Sequence, residues 1–144
     1  ARYYYLAAAP KQFRATEGAL CGKVKQAVAH REAGLDFVVA QGGEGGGHTG
    51  SIPTTLLIPQ IIDAVGDKVP VVAAGGFKDG RGLVAALAWG ADGIAMGTRF
   101  LLTKESPVPK ETLQRYLDCN NPGQIIVSRA MDGLPQRMIM NELL

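Results

Sequence analysis

Apolar and polar residues follow two different periods along the first half of the chain. Residues 23–33 carry apolar side chains at helical spacing, and Gly34 follows them as a stop signal. Residues 35–41 form a mostly apolar run that leads into a glycine cluster. Such a run is typical of a strand that is covered on both faces in a parallel sheet. The pattern therefore predicts a helix followed by a buried strand.

The same order of elements then repeats. Either Thr54 or Thr55 is expected to cap the next helix, and Asp79 the one after it. Residues 1–22 stay unassigned, apart from a short apolar strand remnant at their start, and residues 131–144 are not placed. The elements predicted downstream of residue 53 are a helix ending at Val65, a strand at 69–76, a helix at 81–89, a strand at 91–100, a helix at 107–117 and a fourth strand at 124–130.

Serial units of strand, glycine loop and helix predict a parallel α/β fold. Short loops after each strand favour a barrel of the (β/α)8 triosephosphate isomerase (TIM) type, in which functional groups lie at the carboxyl ends of the strands. Such a barrel takes roughly 250 residues, whereas this chain has 144. Only about four units fit, so the chain is expected to form part of one barrel domain.

Composition narrows the function classes. The chain is 47% hydrophobic and 19% charged, which suits a packed domain. The net charge of +2 is small and dispersed, which disfavours nucleic-acid binding. The apolar runs are too short to span a membrane. Two cysteines without a CxxC pair favour a reduced, cytoplasmic setting, and the scattered histidines and cysteines predict no metal site.

The first candidate for chemistry is the glycine-rich segment at 41–50, which reads QGGEGGGHTG. Glycine runs cost conformational entropy, which is tolerated where the backbone must approach a ligand closely. His48 lies in this segment, just beyond the carboxyl end of a predicted strand. Because an imidazole titrates near neutral pH, it can take or give a proton there. His48 is therefore the candidate catalytic residue.

Two further glycine turns predict a phosphate site. Gly75 and Gly76 end one strand just before a helix, and Gly97 with Thr98 ends the next strand. Backbone amides at such turns bind phosphate, and neighbouring strands late in a barrel often share that task. The arrangement of these two turns is no GxGxxG fingerprint, and the chain has no GxxxxGK[ST], which disfavours a Rossmann dinucleotide site and a nucleotide triphosphatase. Ser128 lacks the GxSxG context of a serine hydrolase.

Three segments follow one another along the chain: QGGEGGGHTG, then VPVVAAGGFKDGRGLVAALAWGADGIAMGTRF, then SRAMDGLPQRMIMNE. In this order they resemble the nitronate monooxygenase family, formerly called 2-nitropropane dioxygenases. That family also contains the FMN-dependent enoyl-acyl-carrier-protein reductases and some actinobacterial enzymes of steroid-ring catabolism. The resemblance covers about residues 34–142 and implies that the chain is the C-terminal half of the barrel.

The resemblance implies an FMN-dependent oxidoreductase in which His48 is catalytic. The substrate would be a nitronate oxidised with O2, or an acyl-CoA or enoyl thioester, with NAD(P)H as the co-substrate in a reductase. A small-molecule substrate is the expected partner, and a homo-oligomer is among the states that the sequence leaves open. The residues that inherit cofactor binding are Gln41, Gly46, Gly75, Gly76, Gly97 and Thr98.

Two other interpretations stay open at this stage. The chain could be a non-catalytic fragment that binds a phosphate-bearing ligand. It could also be a barrel like inosine-monophosphate dehydrogenase, which the middle segment alone resembles. That enzyme needs a catalytic cysteine in a loop, and neither Cys21 nor Cys119 lies in a suitable glycine loop.

Overall fold

The structure, a computed structural model, describes residues 4–7 and 17–141, and the side chains of 17–141. The strands are β1 Tyr4–Ala7, β2 Gly18–Cys21, β3 Phe37–Gln41, β4 Gly47–His48, β5 Val71–Ala74, β6 Gly93–Met96, β7 Ile125–Ser128 and β8 Gln136–Ile139. The helices are α1 Val24–Glu32, α2 Thr54–Val65, α3 Gly80–Ala88, α4 Thr98–Leu101 and α5 Lys110–Asp118, with a 3-10 turn at Pro122–Gln124.

The main sheet has five strands in the order β1-β6-β5-β3-β2. Strands β2, β3, β5 and β6 are parallel, and each pairs with the next parallel strand along the chain. β1, the strand remnant expected from the sequence, pairs antiparallel with β6 at the sheet edge. Neighbouring strands that follow sequence order are the arrangement of a (β/α) barrel wall.

Helix and sheet meet through a core of aliphatic side chains. β5 and β6 are buried along their whole length, as expected for parallel strands covered on both faces. Leu57, Ile58 and Ile61 of α2 are fully buried. These positions are spaced for one face of a helix, so α2 presents a single apolar face to the core. Pro59 is accommodated within this helix.

The sequence places most elements correctly, but it misses β2, β4 and β8 and misassigns one strand. β2 lies within the unassigned stretch 1–22. The predicted fourth strand at 124–130 exists as β7, but it lies outside the parallel sheet. β7 pairs antiparallel with β8, which pairs antiparallel with β4 in a second, three-stranded sheet. Its residues alternate between exposed and half-buried, the pattern of a strand with one solvated face.

The strand predicted at 91–100 is shorter than expected. It ends at Met96, and Thr98 already begins α4. Asp79 caps α3 as predicted, because its carboxylate accepts a hydrogen bond from the backbone N–H of Arg81 at 3.0 Å. Within the described residues, every helix is too short or too polar to cross a lipid bilayer.

Candidate functional site

The predicted site residues follow the carboxyl ends of three adjacent parallel strands. Gln41 ends β3, Gly75 follows β5 directly, and Gly97 follows β6 directly. β5 pairs with β3 on one side and with β6 on the other. The loops after these strands therefore emerge at the same edge of the sheet, which is the functional edge of a (β/α) barrel.

The glycines of the loop after β3 have two different explanations. A Cβ at Gly42 would overlap Thr54, and one at Gly45 would come within 2.5 Å of the Gln41 Nε2 atom. These two positions are glycine because the loop packs tightly on its own protein. A Cβ at Gly46 or Gly47 would meet nothing within 4 Å. Packing therefore does not account for Gly46, and a close approach of its backbone to a ligand, as predicted, fits the open space around it.

The loop also supplies the cap of α2, and the expectation that Thr54 or Thr55 caps this helix is wrong. The N-cap residue is Pro53, which has no side-chain cap. Instead, the Glu44 carboxylate accepts hydrogen bonds from the Thr54 backbone N–H at 2.9 Å and from its hydroxyl at 2.5 Å. Burial alone would raise the pKa of Glu44, but the two bonds from Thr54, together with the charge of Arg137, lower it below its ordinary value.

His48 is held by its backbone from two sides. Its carbonyl oxygen accepts a hydrogen bond from the Gln41 side-chain amide at 2.9 Å. His48 also forms β4 with Gly47 and lies opposite Gln136 in the ladder with β8. Its side chain is 59% exposed, so the ring is open to a ligand. Gln41 thus braces the loop that carries His48, and a direct contact of Gln41 with a cofactor stays a prediction.

The ring of His48 contacts a carboxylate that sequence reasoning did not single out. His48 Nε2 lies 2.7 Å from Asp132 Oδ2, although the two residues are 84 positions apart. The backbone N–H of Leu134 donates to the other carboxylate oxygen at 3.0 Å. The amide of Leu134, then the His48 ring and the Gln136 side chain, lower the pKa of Asp132. Asp132 is therefore ionised at neutral pH and acts only as an acceptor.

Arg137 is a second residue that the sequence interpretation missed. Its guanidinium donates two hydrogen bonds to the Gly43 carbonyl oxygen, at 2.9 and 3.1 Å. The backbone N–H of Thr49 also donates to the Pro135 carbonyl at 3.0 Å. The segment around β8 therefore clamps both ends of the glycine loop. The only sequence signal for this was the turn-forming DGLP at 132–135, which does not say what the turn contacts.

Gly75 and Gly76 form a corner that only glycine adopts without strain. Their φ angles are +97° and +80°, in the left-handed region. A Cβ at Gly75 would lie 3.0 Å from the Gly42 carbonyl oxygen and 3.1 Å from the Gly45 nitrogen. The corner thus packs directly on the loop that carries His48. Gly97 differs, because a Cβ there would meet nothing within 4 Å.

A cleft of about 250 Å³ opens beside the two predicted phosphate turns. Lys78, which follows the first turn, and Arg99, which follows the second, are its cationic lining residues, and Asp79 is its acidic one. Neither His48 nor the predicted cofactor-binding residues line it. Asp79 already occupies the N-terminus of α3, and its bond to Arg81 lowers its pKa to about 2. The remaining residues that line the cleft are Gly80, Leu83, Ile94, Met96 and Phe100.

Both cysteines, Cys21 and Cys119, are free thiols. Burial raises the pKa of Cys21 to about 11, so this thiol is not a nucleophile at neutral pH. Cys119 follows the end of α5 and is not part of a glycine loop. Over residues 17–141, His, Cys, Asp and Glu side chains do not gather in groups of three or more that could hold a metal ion.

Comparison with known proteins agrees with this geometry. A model of the nitronate monooxygenase family matches residues 10–144. The chain belongs to the nitronate monooxygenase family. The matched range includes the glycine loop, the two strand-end turns and the C-terminal segment.

Two curated relatives show the range of names within the family. A Mycobacterium tuberculosis protein named (3aS,4S,5R,7aS)-5-hydroxy-7a-methyl-1-oxo-octahydro-1H-indene-4-carboxyl-CoA dehydrogenase is 56% identical over 111 residues, 76% of this chain and 31% of that protein. A probable nitronate monooxygenase of Staphylococcus saprophyticus is 39% identical over 132 residues, 84% of this chain and 36% of that protein. The chain thus spans about a third of the length of these relatives.

Solved structures confirm the fold class. FabK of Thermotoga maritima has a TM-score of 0.77 at 35% identity, over 85% of this chain and 38% of that one. Nitroalkane oxidase of Streptomyces ansochromogenes has a TM-score of 0.78 at 34% identity, over 88% of this chain and 39% of that one. These enzymes are TIM barrels, and this chain is a part of such a barrel. That it is the C-terminal part stays a prediction.

Proposed function

We propose that the protein is an FMN-dependent oxidoreductase in which His48 moves a proton at the substrate carbon. The observation that carries this proposal is the exposed His48 ring, fixed at the same sheet edge as two glycine turns. The family match and the oxidoreductase names of the relatives support it. When bound, FMN supplies the redox chemistry by accepting or giving a hydride.

The residues at the strand ends fit the phosphate group of FMN. Gly97 is surrounded by open space, and the backbone N–H of Thr98 lies in the first turn of α4, where it has no acceptor within the helix. Gly75 and Gly76 turn the backbone in the left-handed region on the neighbouring strand. Successive amides at such turns form an anion-binding concavity. The cations of Lys78 and Arg99 at the adjoining cleft favour the same charge.

The tasks of the protein's own residues follow from their contacts. Gln41 and β8 fix the backbone of His48, so its exposed ring is carried by a segment that is held from two sides. Depending on the direction of reaction, the imidazole takes a proton from the substrate carbon or returns one. Gly46, with open space around it, lets the loop backbone approach the ligand.

An acyl-CoA thioester is the substrate class that we favour. The two carboxyl-CoA dehydrogenases are 56% and 55% identical to this chain, whereas the probable nitronate monooxygenases of staphylococci are 39% to 45% identical. Oxidation of a nitronate with O2 is the second candidate, supported by the family match itself. Reduction of an enoyl thioester with NAD(P)H would be the first candidate reaction run in the opposite direction.

Two alternatives predict different results. A non-catalytic fragment that binds another phosphate-bearing ligand would be colourless, would ignore added FMN and would turn nothing over. An enzyme like inosine-monophosphate dehydrogenase would need a reactive cysteine, which the buried Cys21 with its raised pKa does not provide. A cytoplasmic location stays part of the proposal, supported by two free cysteines. The partner that we propose for this activity is its small-molecule substrate.

The test combines a flavin spectrum with substrate assays. We expect the purified protein to show flavin absorbance with FMN, and to oxidise or reduce acyl-CoA thioesters, or to consume O2 with nitronates. Replacing His48 by Gln should lower turnover by about 10²–10⁴-fold, the usual share of general acid–base catalysis, and leave FMN affinity unchanged. Normal turnover in H48Q would remove His48 from the mechanism, and a protein that ignores FMN would overturn the proposal.

A further inference from the structure

The carboxylate of Asp132 is shared between its own turn and the His48 ring. Its Oδ1 atom accepts a hydrogen bond from the Leu134 backbone N–H at 3.0 Å. Its Oδ2 atom lies 2.7 Å from His48 Nε2. Because the first contact fixes the orientation of the carboxylate, the second oxygen is aimed at one particular ring nitrogen.

The rest of His48 is fixed independently of Asp132. Its carbonyl accepts from Gln41, and the neighbouring Thr49 N–H donates to Pro135. The free motion that remains is rotation of the side chain about its χ angles. A single short bond at Nε2 therefore sets where the other ring nitrogen, Nδ1, points.

The proton positions follow from the chemistry of the pair. A carboxylate can only accept a hydrogen bond, so the shared proton belongs to Nε2. In a neutral imidazole with the proton on Nε2, the lone pair is on Nδ1. A histidine without such a partner is free to populate either tautomer, and only one of the two presents a base at Nδ1.

Resting on the function proposed above, we propose that Asp132 is the positioning residue of His48, which keeps Nε2 protonated and leaves Nδ1 as the atom that accepts the substrate proton. In that step the carbon–hydrogen bond breaks, its electron pair stays with the substrate, and an N–H bond forms at Nδ1. The negative charge of Asp132 then stabilises the imidazolium cation. In the reverse direction Nδ1 returns the proton.

The other charged side chains of this region, Arg137 and Glu44, are engaged with partners other than the His48 ring. The guanidinium of Arg137 is engaged by the Gly43 carbonyl, and the carboxylate of Glu44 is engaged by Thr54. Within the part of the chain that the structure describes, Asp132 is the charged side chain recorded against the His48 ring. Its pKa is held below the ordinary value, which keeps it in the accepting form at neutral pH.

The direct test is the 15N NMR spectrum of the histidine side chains at about pH 9, above the ordinary titration range of imidazole, without any cofactor. We expect His48 to show a protonated Nε2 and an unprotonated Nδ1. His30 also faces an acceptor through Nε2, the Leu20 carbonyl at 3.2 Å. The variant His30→Gln therefore serves to assign the two sets of signals. A His48 ring that is protonated on Nδ1, or that mixes both tautomers, would overturn the proposal.

A pair of variants adds two measurements, the tautomer of His48 and kcat, which would not change in this way if Asp132 had only a structural role. In Asp132→Asn the amide oxygen can keep the Leu134 contact, which leaves the NH2 group facing Nε2. His48 should then carry its proton on Nδ1, and kcat should fall by about 10²–10⁴-fold with flavin affinity unchanged. Asp67→Asn is the matched control, because Asp67 is exposed and pairs with Lys68 at the opposite end of the strands.

The outcomes separate this proposal from the proposed function. A protein that shows the expected His48 tautomer but binds no FMN would sink the oxidoreductase proposal and leave the pairing intact. An active flavoenzyme in which Asp132→Asn changes neither the tautomer nor kcat would sink the positioning role alone. If Asp132→Asn does not fold, the tautomer of the unmodified protein decides the question.

Discussion

Gly75 and Gly97 follow neighbouring strands but differ in what a side chain would meet. At Gly75 the φ angle is +97° and backbone atoms of the loop at 42–45 lie 3.0–3.2 Å from a Cβ. At Gly97 the φ angle is −87° and a Cβ meets nothing within 4 Å. The first glycine is therefore required by the protein itself, whereas open space at the second leaves room for a ligand.

Replacing each glycine by Ala should separate stability from binding. Gly75→Ala should lower the free energy of unfolding by about 1–3 kcal/mol, through backbone strain and contact with the loop. Gly97→Ala should change it by less than about 0.5 kcal/mol and yet weaken FMN binding. Urea denaturation and a flavin titration measure the two effects, and unchanged FMN affinity in Gly97→Ala would remove Gly97 from the phosphate site.

At the residue scale, Glu44 makes a pH-dependent contribution to the free energy of unfolding. Its pKa in the folded protein is lowered from the ordinary 4.5. A lowered pKa means that the stabilising contribution is present above the unfolded value and is lost as pH falls through the folded value. The free energy of unfolding should thus differ between the wild type and Glu44→Gln at pH 7. The difference should shrink toward zero as pH falls below 4.5, and a difference that grows in acid would contradict this assignment.

At the element scale, α2 shows how a sequence pattern becomes packing. Leu56 is 56% exposed, whereas its neighbour Leu57 is fully buried against the parallel strands. Leu57→Ala should lower the free energy of unfolding by about 2–5 kcal/mol, because it removes buried methyl groups and leaves a cavity. Leu56→Ala is the matched control and should cost less than about 0.5 kcal/mol. Equal effects of the two substitutions in urea denaturation would mean that another face of α2 packs on the sheet.

The same scale shows what the sequence could and could not predict. Buried strands such as β5 were predictable, because a continuous apolar run ending in glycines has few other uses. β7 was predicted as a strand but assigned to the parallel series, since a four-residue apolar run does not reveal its partner. Likewise, His48 was visible from its loop, whereas Asp132 was not. Only the pairing of β4 with β8 brings these two residues together across 84 positions.

At the scale of the whole molecule, the four parallel strands give the site its geometry. Each pairs with the next parallel strand in sequence, so their carboxyl ends bring loops from distant parts of the chain to one edge. The antiparallel sheet of β4, β7 and β8 includes part of the glycine loop, and Arg137 of β8 binds the Gly43 carbonyl of the same loop. The barrel wall thus provides the position, and the second sheet fixes the orientation of the reactive ring.

The most direct measurement of this account is a titration of the 15N-labelled protein with FMN, followed by 1H–15N NMR. The account predicts saturable shifts at the amides of Gly75, Gly76, Gly97 and Thr98 and at the His48 ring, while the amides of α5 stay unchanged. Riboflavin, which lacks the phosphate, should bind more weakly and spare the glycine amides. If FMN causes no shifts, or shifts confined to other parts of the chain, the glycine turns are not its phosphate site and the account is wrong.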